Sequence, residues 1–280
     1  MLGIEYRLIK PSHPQINGLV ERFNEAYQQR PAAPPYPDLQ ILGRVKFMIS
    51  NENLRKYQSE GFELIEGWCS EQLFDTIDLL TSASINKSGG CLEIGVHHGK
   101  FYILLNQVIP STETSYAVDV FHNQHLNIDW SGSGSLEIFR SNLKKYDAHQ
   151  GMNTKVIIGD STDYSLELEK NIGPGSLRLI SIDGGHSVEH TVNDLLLANR
   201  LVKNEGVVIL DDVMNYHWLG VMEGLFKFLS TSPTLVPFAI GGNKLYLCKL
   251  SFQDFYFKYF SESPLTTKHV RFFGYNVAAL

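Results

Sequence analysis

The chain has 280 residues, of which 43% are hydrophobic and 19% are charged, and its formal net charge is −6 at pH 7. These values are typical of a globular protein with one large domain or at most two, and they supply no basic field for nucleic acid. We therefore expect a small-molecule partner rather than nucleic acid or a membrane, and a homo-oligomer is left open. The chain has no apolar run of the roughly 20 residues that a membrane helix needs, no signal-peptide core and no CxxC motif among its three cysteines. Reduced thiols and a cytoplasmic location are the expectation.

The first 65 residues differ from the rest of the chain. Residues 3–25, GIEYRLIKPSHPQINGLVERFNE, resemble the end of an integrase-type transposase core, in which Glu21 matches the third acid of the D,D,E set. The two aspartates of that set would lie upstream, so the resemblance implies a non-functional remnant over residues 1–30. Four prolines within residues 31–38 exclude a helix or a central strand there. We predict a proline-rich linker and N-terminal segment over residues 31–65.

From residue 66 to residue 250, apolar runs typical of strands alternate with helical patterns. The predicted strands are CLEIGV (91–96), SYAVDVF (115–121), KVIIG (155–159), LRLISID (177–183), GVVILDD (206–212), LVPFAI (235–240) and KLYLCKL (244–250). Strands this apolar are buried on both faces, and the intervening helices are the crossovers that parallel pairing requires. The Gly241-Gly242-Asn243 turn predicts a final hairpin with one antiparallel strand. The sequence therefore predicts an α/β, Rossmann-like doubly wound, seven-stranded, mostly parallel sheet.

Residues at the strand ends are the first candidates for function, because doubly wound folds bind ligands beyond the carboxyl ends of their strands. The run EIGVHHG (93–99) departs from the G-x-G-x-x-G spacing of dinucleotide sites, and Glu93 would repel a pyrophosphate but suits a cationic ligand. A plain tight turn is the alternative. Asp119 can accept both hydroxyls of a ribose or cap a loop. Asp160 and Ser161 can contact an adenine edge or cap the next helix.

The ends of strands 4 and 5 carry three acids. Asp183 ends one strand, and Asp211 and Asp212 end the strand that the pattern places beside it. Three carboxylates together repel unless a cation lies between them, and all-oxygen ligands favour magnesium. Alternatively, Asp212 caps the next segment and Asp211 forms an ion pair. His186 is a candidate proton acceptor or a helix cap, and His190 is expected to pack or to face solvent.

Taken together, these motifs resemble the class I methyltransferases that use S-adenosylmethionine, over residues 66–250. Glu93, Gly95 and Gly99 are similar to the first motif of that family, and Asp119 matches its ribose-binding acid. The resemblance implies the fold predicted above and S-adenosylmethionine as the cofactor.

The runs IDGGH (182–186) and GVVILDDV (206–213) more specifically resemble metal-dependent O-methyltransferases that modify sugars of macrolide and aminocoumarin antibiotics. In mycinamicin-type members, the aspartate of such an IDGGH run binds magnesium and its histidine is the proposed base. The resemblance therefore implies His186 as the base and a magnesium ion on Asp183, Asp211 and Asp212. It implies S-adenosylmethionine on Glu93, Gly95, Gly99, Asp119, Asp160, Ser161 and Asp183.

The implied function is magnesium-dependent O-methylation of a sugar or polyol hydroxyl in a natural product or polysaccharide. A catechol or phenol acceptor is the first alternative, since catechol-type enzymes space their metal acids similarly but carry lysine at the position of His186. A protein that binds S-adenosylmethionine without turnover is the second, and the glycine spacing disfavours an NAD enzyme. The aromatic extension over residues 251–280 is expected to pack on the sheet, with a lid or a subunit interface left open.

Overall fold

The computed structural model describes residues 49–83, 88–231 and 233–280. The transposase-like segment over residues 1–30 and the proline-rich stretch over 31–38 lie outside the described residues, so both stay predictions. None of the described helices is long and apolar enough to cross a membrane.

The described residues form nine strands and eight α-helices. The strands are β1 (Cys91–Ile94), β2 (Ser115–Asp119), β3 (Thr154–Ile158), β4 (Leu177–Ile182), β5 (Val202–Leu210), β6 (Leu235–Gly241), β7 (Lys244–Lys249), β8 (Lys268–Phe272) and β9 (Tyr275–Ala279). The helices are α1 (Glu52–Glu60), α2 (Leu73–Ala83), α3 (Lys100–Asn106), α4 (Leu136–Tyr146), α5 (Ser161–Ile172), α6 (Val188–Leu201), α7 (Leu219–Ser230) and α8 (Gln253–Ser261).

Across the described residues the strands form one sheet in the order β3-β2-β1-β4-β5-β7-β6-β9-β8. Strands β1 to β5 pair in parallel, whereas β7 is antiparallel to both β5 and β6. The predicted doubly wound α/β fold is therefore confirmed, including the antiparallel strand of the last hairpin. The predicted strand count of seven becomes nine, because β9 pairs parallel to β6 and β8 pairs antiparallel to β9.

The strand register brings the predicted strand ends to one edge of the sheet. Ile94 is level with Val118 on one side and with Ile182 on the other, and Ile182 is level with Leu210. The residues that follow these four positions therefore emerge side by side, which is where a doubly wound fold forms its crevice.

The core lies on both faces of the sheet, because successive side chains of each buried strand alternate between them. Leu179 of β4 packs with the layer that contains α1 to α4 and α8, whereas Ile180 packs with the layer that contains α5, α6 and α7. The predicted apolar strands thus have a helical layer on each side. Burial of one such leucine or isoleucine contributes about 1.5–3 kcal/mol.

The aromatic C-terminal extension packs on the sheet. In α8, the rings of Tyr256 and Phe260 lie 4.9 and 5.2 Å from the ring of Phe238 in β6. The aromatic residues of this segment therefore extend the core, and β8 and β9 extend the sheet.

Candidate active site

A cavity of about 720 Å³ opens at the carboxyl edge of the sheet. The segments that follow β1, β2, β4 and β5 contribute to it, together with the loop between β2 and α4. Most of the predicted site residues line it, namely Gly95, Asp119, Asp160, Ser161, Asp183, His186, Asp211 and Asp212. Glu93 and Gly99 are not among the lining residues.

The two predicted glycines shape the turn that follows β1. Gly95 has a φ angle of 84°, and a Cβ atom there would lie 1.8 Å from the carbonyl oxygen of Asp183. Gly99 has a φ angle of 89° just before α3, and a Cβ atom there would lie 2.8 Å from the ring of Phe139. Both positions therefore require glycine. Gly95 lines the cavity, whereas Gly99 serves the packing of the turn.

Glu93 lies inside the protein and not on the cavity wall. Its neighbours Leu92 and Ile94 point to one face of β1, so Glu93 points to the other, where it is only 1% exposed. Its Oε1 accepts a hydrogen bond of 3.1 Å from the Ser181 hydroxyl. Burial raises the pKa of Glu93 to about 8, although the nearby Lys244 ammonium opposes the shift. The structure therefore does not bring Glu93 to the surface where the predicted cofactor would lie.

Asp119 stands at the end of β2 with both carboxylate oxygens held by the backbone. One oxygen accepts the N–H of His97 at 2.8 Å, and the other accepts the N–H of Phe121 at 2.6 Å. Burial raises the pKa of Asp119 in spite of these bonds. Each oxygen keeps a second lone pair, so the fixed carboxylate can still accept two ligand hydroxyls.

Asp160 both caps a helix and faces the cavity. Its Oδ1 accepts the N–H of Thr162 at 2.8 Å at the start of α5, and its Oδ2 lies 3.1 Å from Nε2 of His190. The other ring nitrogen of His190 lies 2.8 Å from the Ser187 hydroxyl. His190, expected to pack or to face solvent, instead lines the cavity and holds Asp160. The buried Ser161 is the next residue on the same wall.

Asp183, His186 and Asp212 come together at the ends of β4 and β5. One carboxylate oxygen from each acid and one ring nitrogen of the histidine all lie within 4.8 Å of one another. Nε2 of His186 is 2.9 Å from Oδ2 of Asp212 and 4.0 Å from Oδ1 of Asp183. Burial and the neighbouring Asp211 carboxylate hold the pKa of Asp183 well above its usual range. A bound cation would stabilise the ionised form of this acid.

Asp211, predicted as a third metal ligand, is instead engaged in an ion pair. Its Oδ2 pairs with the ammonium of Lys244 in β7, and its Oδ1 accepts the N–H of Asp212 at 2.8 Å. The Asp211 and Lys244 side chains are only 9% and 2% exposed. The ion-pair alternative thus describes Asp211, because β7 lies next to β5 and brings a lysine to the same strand end.

His186 has two further partners that the sequence analysis missed. Its Nδ1 is 2.7 Å from Oδ2 of Asp129, which also accepts the backbone N–H of His186 at 2.8 Å. Its ring stacks on Trp218 with a centroid distance of 4.3 Å and an interplanar angle of 15°. Burial alone would lower the pKa of His186, but the hydrogen bonds to Asp129 and Asp212 raise it to about 9. Asp129 lies 57 residues away in a polar loop, and no local pattern marks it.

Comparison with known proteins agrees with this geometry for the central part of the chain. Residues 92–213 match the family model described as a methyltransferase domain. Residues 92–213 therefore carry a methyltransferase domain.

The individual proteins to which the chain is similar are distant. An uncharacterised protein of Acanthamoeba polyphaga mimivirus, R132, is 28% identical over 86 residues, which cover 31% of this chain and 38% of that protein. An O-methyltransferase from Bacillus cereus in complex with SAH is 16% identical with a TM-score of 0.49, over 70% of this chain and 89% of that one. CalS11, a TDP-rhamnose 3'-O-methyltransferase of calicheamicin biosynthesis, is 14% identical with a TM-score of 0.48, over 85% and 96% of the two chains.

The residues of this cavity fit the two groups that the sequence resemblance implies, S-adenosylmethionine and a magnesium ion. Gly95 leaves the first turn open to a ligand, and Asp119 presents fixed acceptors for the hydroxyls of a ribose. Asp183 and Asp212 offer carboxylate oxygens to a hard divalent cation such as magnesium, which keeps other positions for water or substrate. Oδ1 of Asp212 accepts hydrogen bonds from the side chains of Asn215 and Asn243. These bonds orient the carboxylate so that its other oxygen, Oδ2, faces His186.

Proposed function

We propose that the chain is an S-adenosylmethionine- and magnesium-dependent O-methyltransferase that methylates a hydroxyl of a sugar or polyol group in a natural product or polysaccharide. The observation that carries the proposal is the juxtaposition of Asp183, Asp212 and His186 at the wall of the cavity that also contains Gly95 and Asp119. The resemblance of the IDGGH and GVVILDDV runs to metal-dependent sugar O-methyltransferases supports the same acceptor class.

An aliphatic hydroxyl is a poor nucleophile at neutral pH, so the site must help it to lose its proton. When bound, a divalent cation would supply positive charge beside the acceptor oxygen and favour its deprotonated form. Asp183 and Asp212 would hold that cation. Gly95, Asp183 and Asp212 line the same cavity, and the backbone of Asp183 lies directly against the turn at Gly95, so the acceptor oxygen and the cofactor's methyl group would meet in one enclosed space.

His186 is the candidate proton acceptor. Asp129 occupies Nδ1, so Nε2 is the ring atom that remains to take a proton, and the stacked Trp218 limits rotation of the ring. Without a cation, Nε2 contacts Asp212 and the pKa of His186 is raised to about 9. A cation on Asp212 would remove that partner and add a like charge, and both effects lower the pKa toward neutrality. General-base help of this kind is worth ~10²–10⁴-fold in rate.

The test measures methyl transfer by the full chain from isotopically labelled S-adenosylmethionine to methyl α-D-mannopyranoside, which carries a cis vicinal diol, and to catechol. We expect transfer to the glycoside that EDTA abolishes and added magnesium restores. His186→Ala should lose most of the turnover and keep its affinity for S-adenosylmethionine in calorimetry. His269→Ala, at an exposed position of β8, is the matched control and should be unchanged.

Each part of the proposal can fail separately. Full turnover in the presence of EDTA would exclude a role for a metal ion. An unchanged kcat in His186→Ala would exclude His186 as the base. Transfer to catechol alone would replace the glycosyl acceptor by a phenol. Cofactor binding without transfer to either acceptor would favour a binding protein without turnover.

A further inference from the structure

All three tryptophans of the 280-residue chain, Trp68, Trp130 and Trp218, line the cavity. Trp218 is partly covered by the ring of His186, but Trp68 and Trp130 are 74% and 80% exposed. Large aromatic side chains beside a cavity expose apolar surface to water, which is unfavourable. A ligand that covers them removes that surface from water and is stabilised by its burial. The concentration of the tryptophans at one opening therefore points to a ligand with an apolar face.

Trp130 is held in this position by its loop. Its φ angle is 58°, a left-handed conformation that a bulky side chain rarely adopts. The loop stabilises that conformation, since the N–H of Trp130 donates to Oδ1 of Asn127 at 3.1 Å, and Nδ2 of Asn127 donates to the carbonyl of Gly132 at 2.8 Å. Strained backbone that neighbouring hydrogen bonds maintain is typical of functional positions.

The residues on either side of Trp130 fix where its ring lies relative to the chemistry. The preceding residue, Asp129, binds Nδ1 of His186 at 2.7 Å. At Gly134, a Cβ atom would lie 3.2 Å from Oδ1 of Asp119, the predicted ribose acceptor. The segment from Asp129 to Gly134 thus runs from His186, the candidate base, to Asp119, the predicted ribose acceptor. Trp130 lies at the end of this segment that is next to His186. This is the side on which an acceptor hydroxyl must approach His186.

We propose that the indole of Trp130 is the platform on which the saturated ring of a glycosyl acceptor stacks, with two vicinal hydroxyls directed at Asp183, Asp212 and His186. This inference rests on the proposed function and names the part of the site that selects the acceptor. A pyranose presents C–H groups on its face and polar groups around its edge. The face matches the exposed indole, and the edge matches the Ser131 hydroxyl on the adjoining cavity wall. A catechol would have both of its hydroxyls directed at the acids and the histidine, and would leave Ser131 without a ligand partner.

The experiment compares the full-length wild type with Trp130→Ala, Trp130→Phe and Ile138→Ala, using methyl α-D-mannopyranoside as the acceptor probe. Ile138 is an exposed residue of α4 beyond the loop and is absent from the cavity wall, so it is the matched control. We expect Trp130→Ala to raise the KM for the glycoside about tenfold, in line with the usual worth of an aromatic contact. The KM for S-adenosylmethionine and the Tm should stay at the wild-type values. Trp130→Phe should recover most of the loss, and Ile138→Ala should behave as wild type.

An unchanged KM for the glycoside in Trp130→Ala would overturn the inference, and an equal rise in both KM values would assign Trp130 to the cofactor instead. If the wild type transfers no methyl group, calorimetric titration of the SAH-loaded protein with the same glycoside decides. Glycoside binding by the wild type that is lost in Trp130→Ala would support the role of Trp130 as the acceptor platform, even though the proposed reaction had failed. Absence of binding to the wild type would refute the glycosyl platform itself.

Discussion

The buried ion pair between Lys244 and Asp211 yields a quantitative prediction. The two side chains are 2% and 9% exposed, and the Lys244 ammonium also lies 4.3 Å from the centre of the Phe101 ring. Burial alone would lower the pKa of Lys244, but Asp211 and Asp183 raise it, so the lysine is charged. Lys244→Met preserves the length of the side chain and removes the charge.

The expected cost follows from what remains after the substitution. The Asp211 carboxylate would stay in the interior next to Asp183 without the Lys244 ammonium. Removal of one partner of a buried ion pair typically costs about 3–5 kcal/mol of unfolding free energy. The exposed pair of Glu223 and Lys227 on α7 is a matched control, with side chains 60% and 59% exposed at 2.7 Å. Lys227→Met should cost only about 0.2–0.5 kcal/mol.

Urea denaturation measures both free energies of unfolding. At a typical m-value of about 1–3 kcal/mol/M, Lys244→Met should lower the midpoint by at least about 1 M. The double variant Lys244→Met/Asp211→Asn should recover part of the loss, because it removes the unpaired charge as well. A cost of Lys244→Met no larger than that of the Lys227→Met control would show that the Lys244–Asp211 pair is effectively solvated and would contradict the prediction.

Three further predictions concern the turn after β1 and the support of the candidate base. Gly95→Ala should abolish binding of S-adenosylmethionine and lower the Tm by many degrees, whereas Gly175→Ala, with a φ angle of 60° and open space around the Cβ position, should show only the backbone strain of about 1 kcal/mol. Asp129→Asn should lower kcat by about 10–100-fold with unchanged cofactor affinity, because the amide loses the charge that orients His186; an unchanged kcat would exclude that role. Burial raises the pKa of Glu93 to about 8, so the free energy of unfolding of the wild type should fall as the pH rises from the ordinary carboxyl range to about 8. Glu93→Gln should remove this pH dependence and be more stable than the wild type by about 1–3 kcal/mol at pH 8. Urea denaturation at several pH values measures this, and the same pH dependence in both proteins would contradict the prediction.

The order of the elements could be predicted from the sequence by itself. Apolar runs of strand length separated by helical patterns indicate parallel pairing, because each face of such a strand needs a helical layer. The same logic places Asp183 and Asp212 at the ends of neighbouring strands, and His186 one short turn after Asp183. The structure brings these three residues within 4.8 Å of one another. The Gly242-Asn243 turn of the last hairpin is equally local, since both residues adopt left-handed backbone angles.

Only the tertiary structure decided the partners of those residues. Lys244 reaches Asp211 from 33 positions away because β7 pairs with β5, and Asp129 reaches His186 from 57 positions away because a loop folds over the sheet edge. The alternation of side chains along β1 directs Glu93 into the interior. In the aromatic C-terminal extension, β9 pairs with β6 and β8 pairs with β9, which adds two strands to the sheet. A local pattern encodes the period of a strand and the residue type at its end. Which side chain meets another across the sheet depends on strand order and register, which arise from packing of the whole chain.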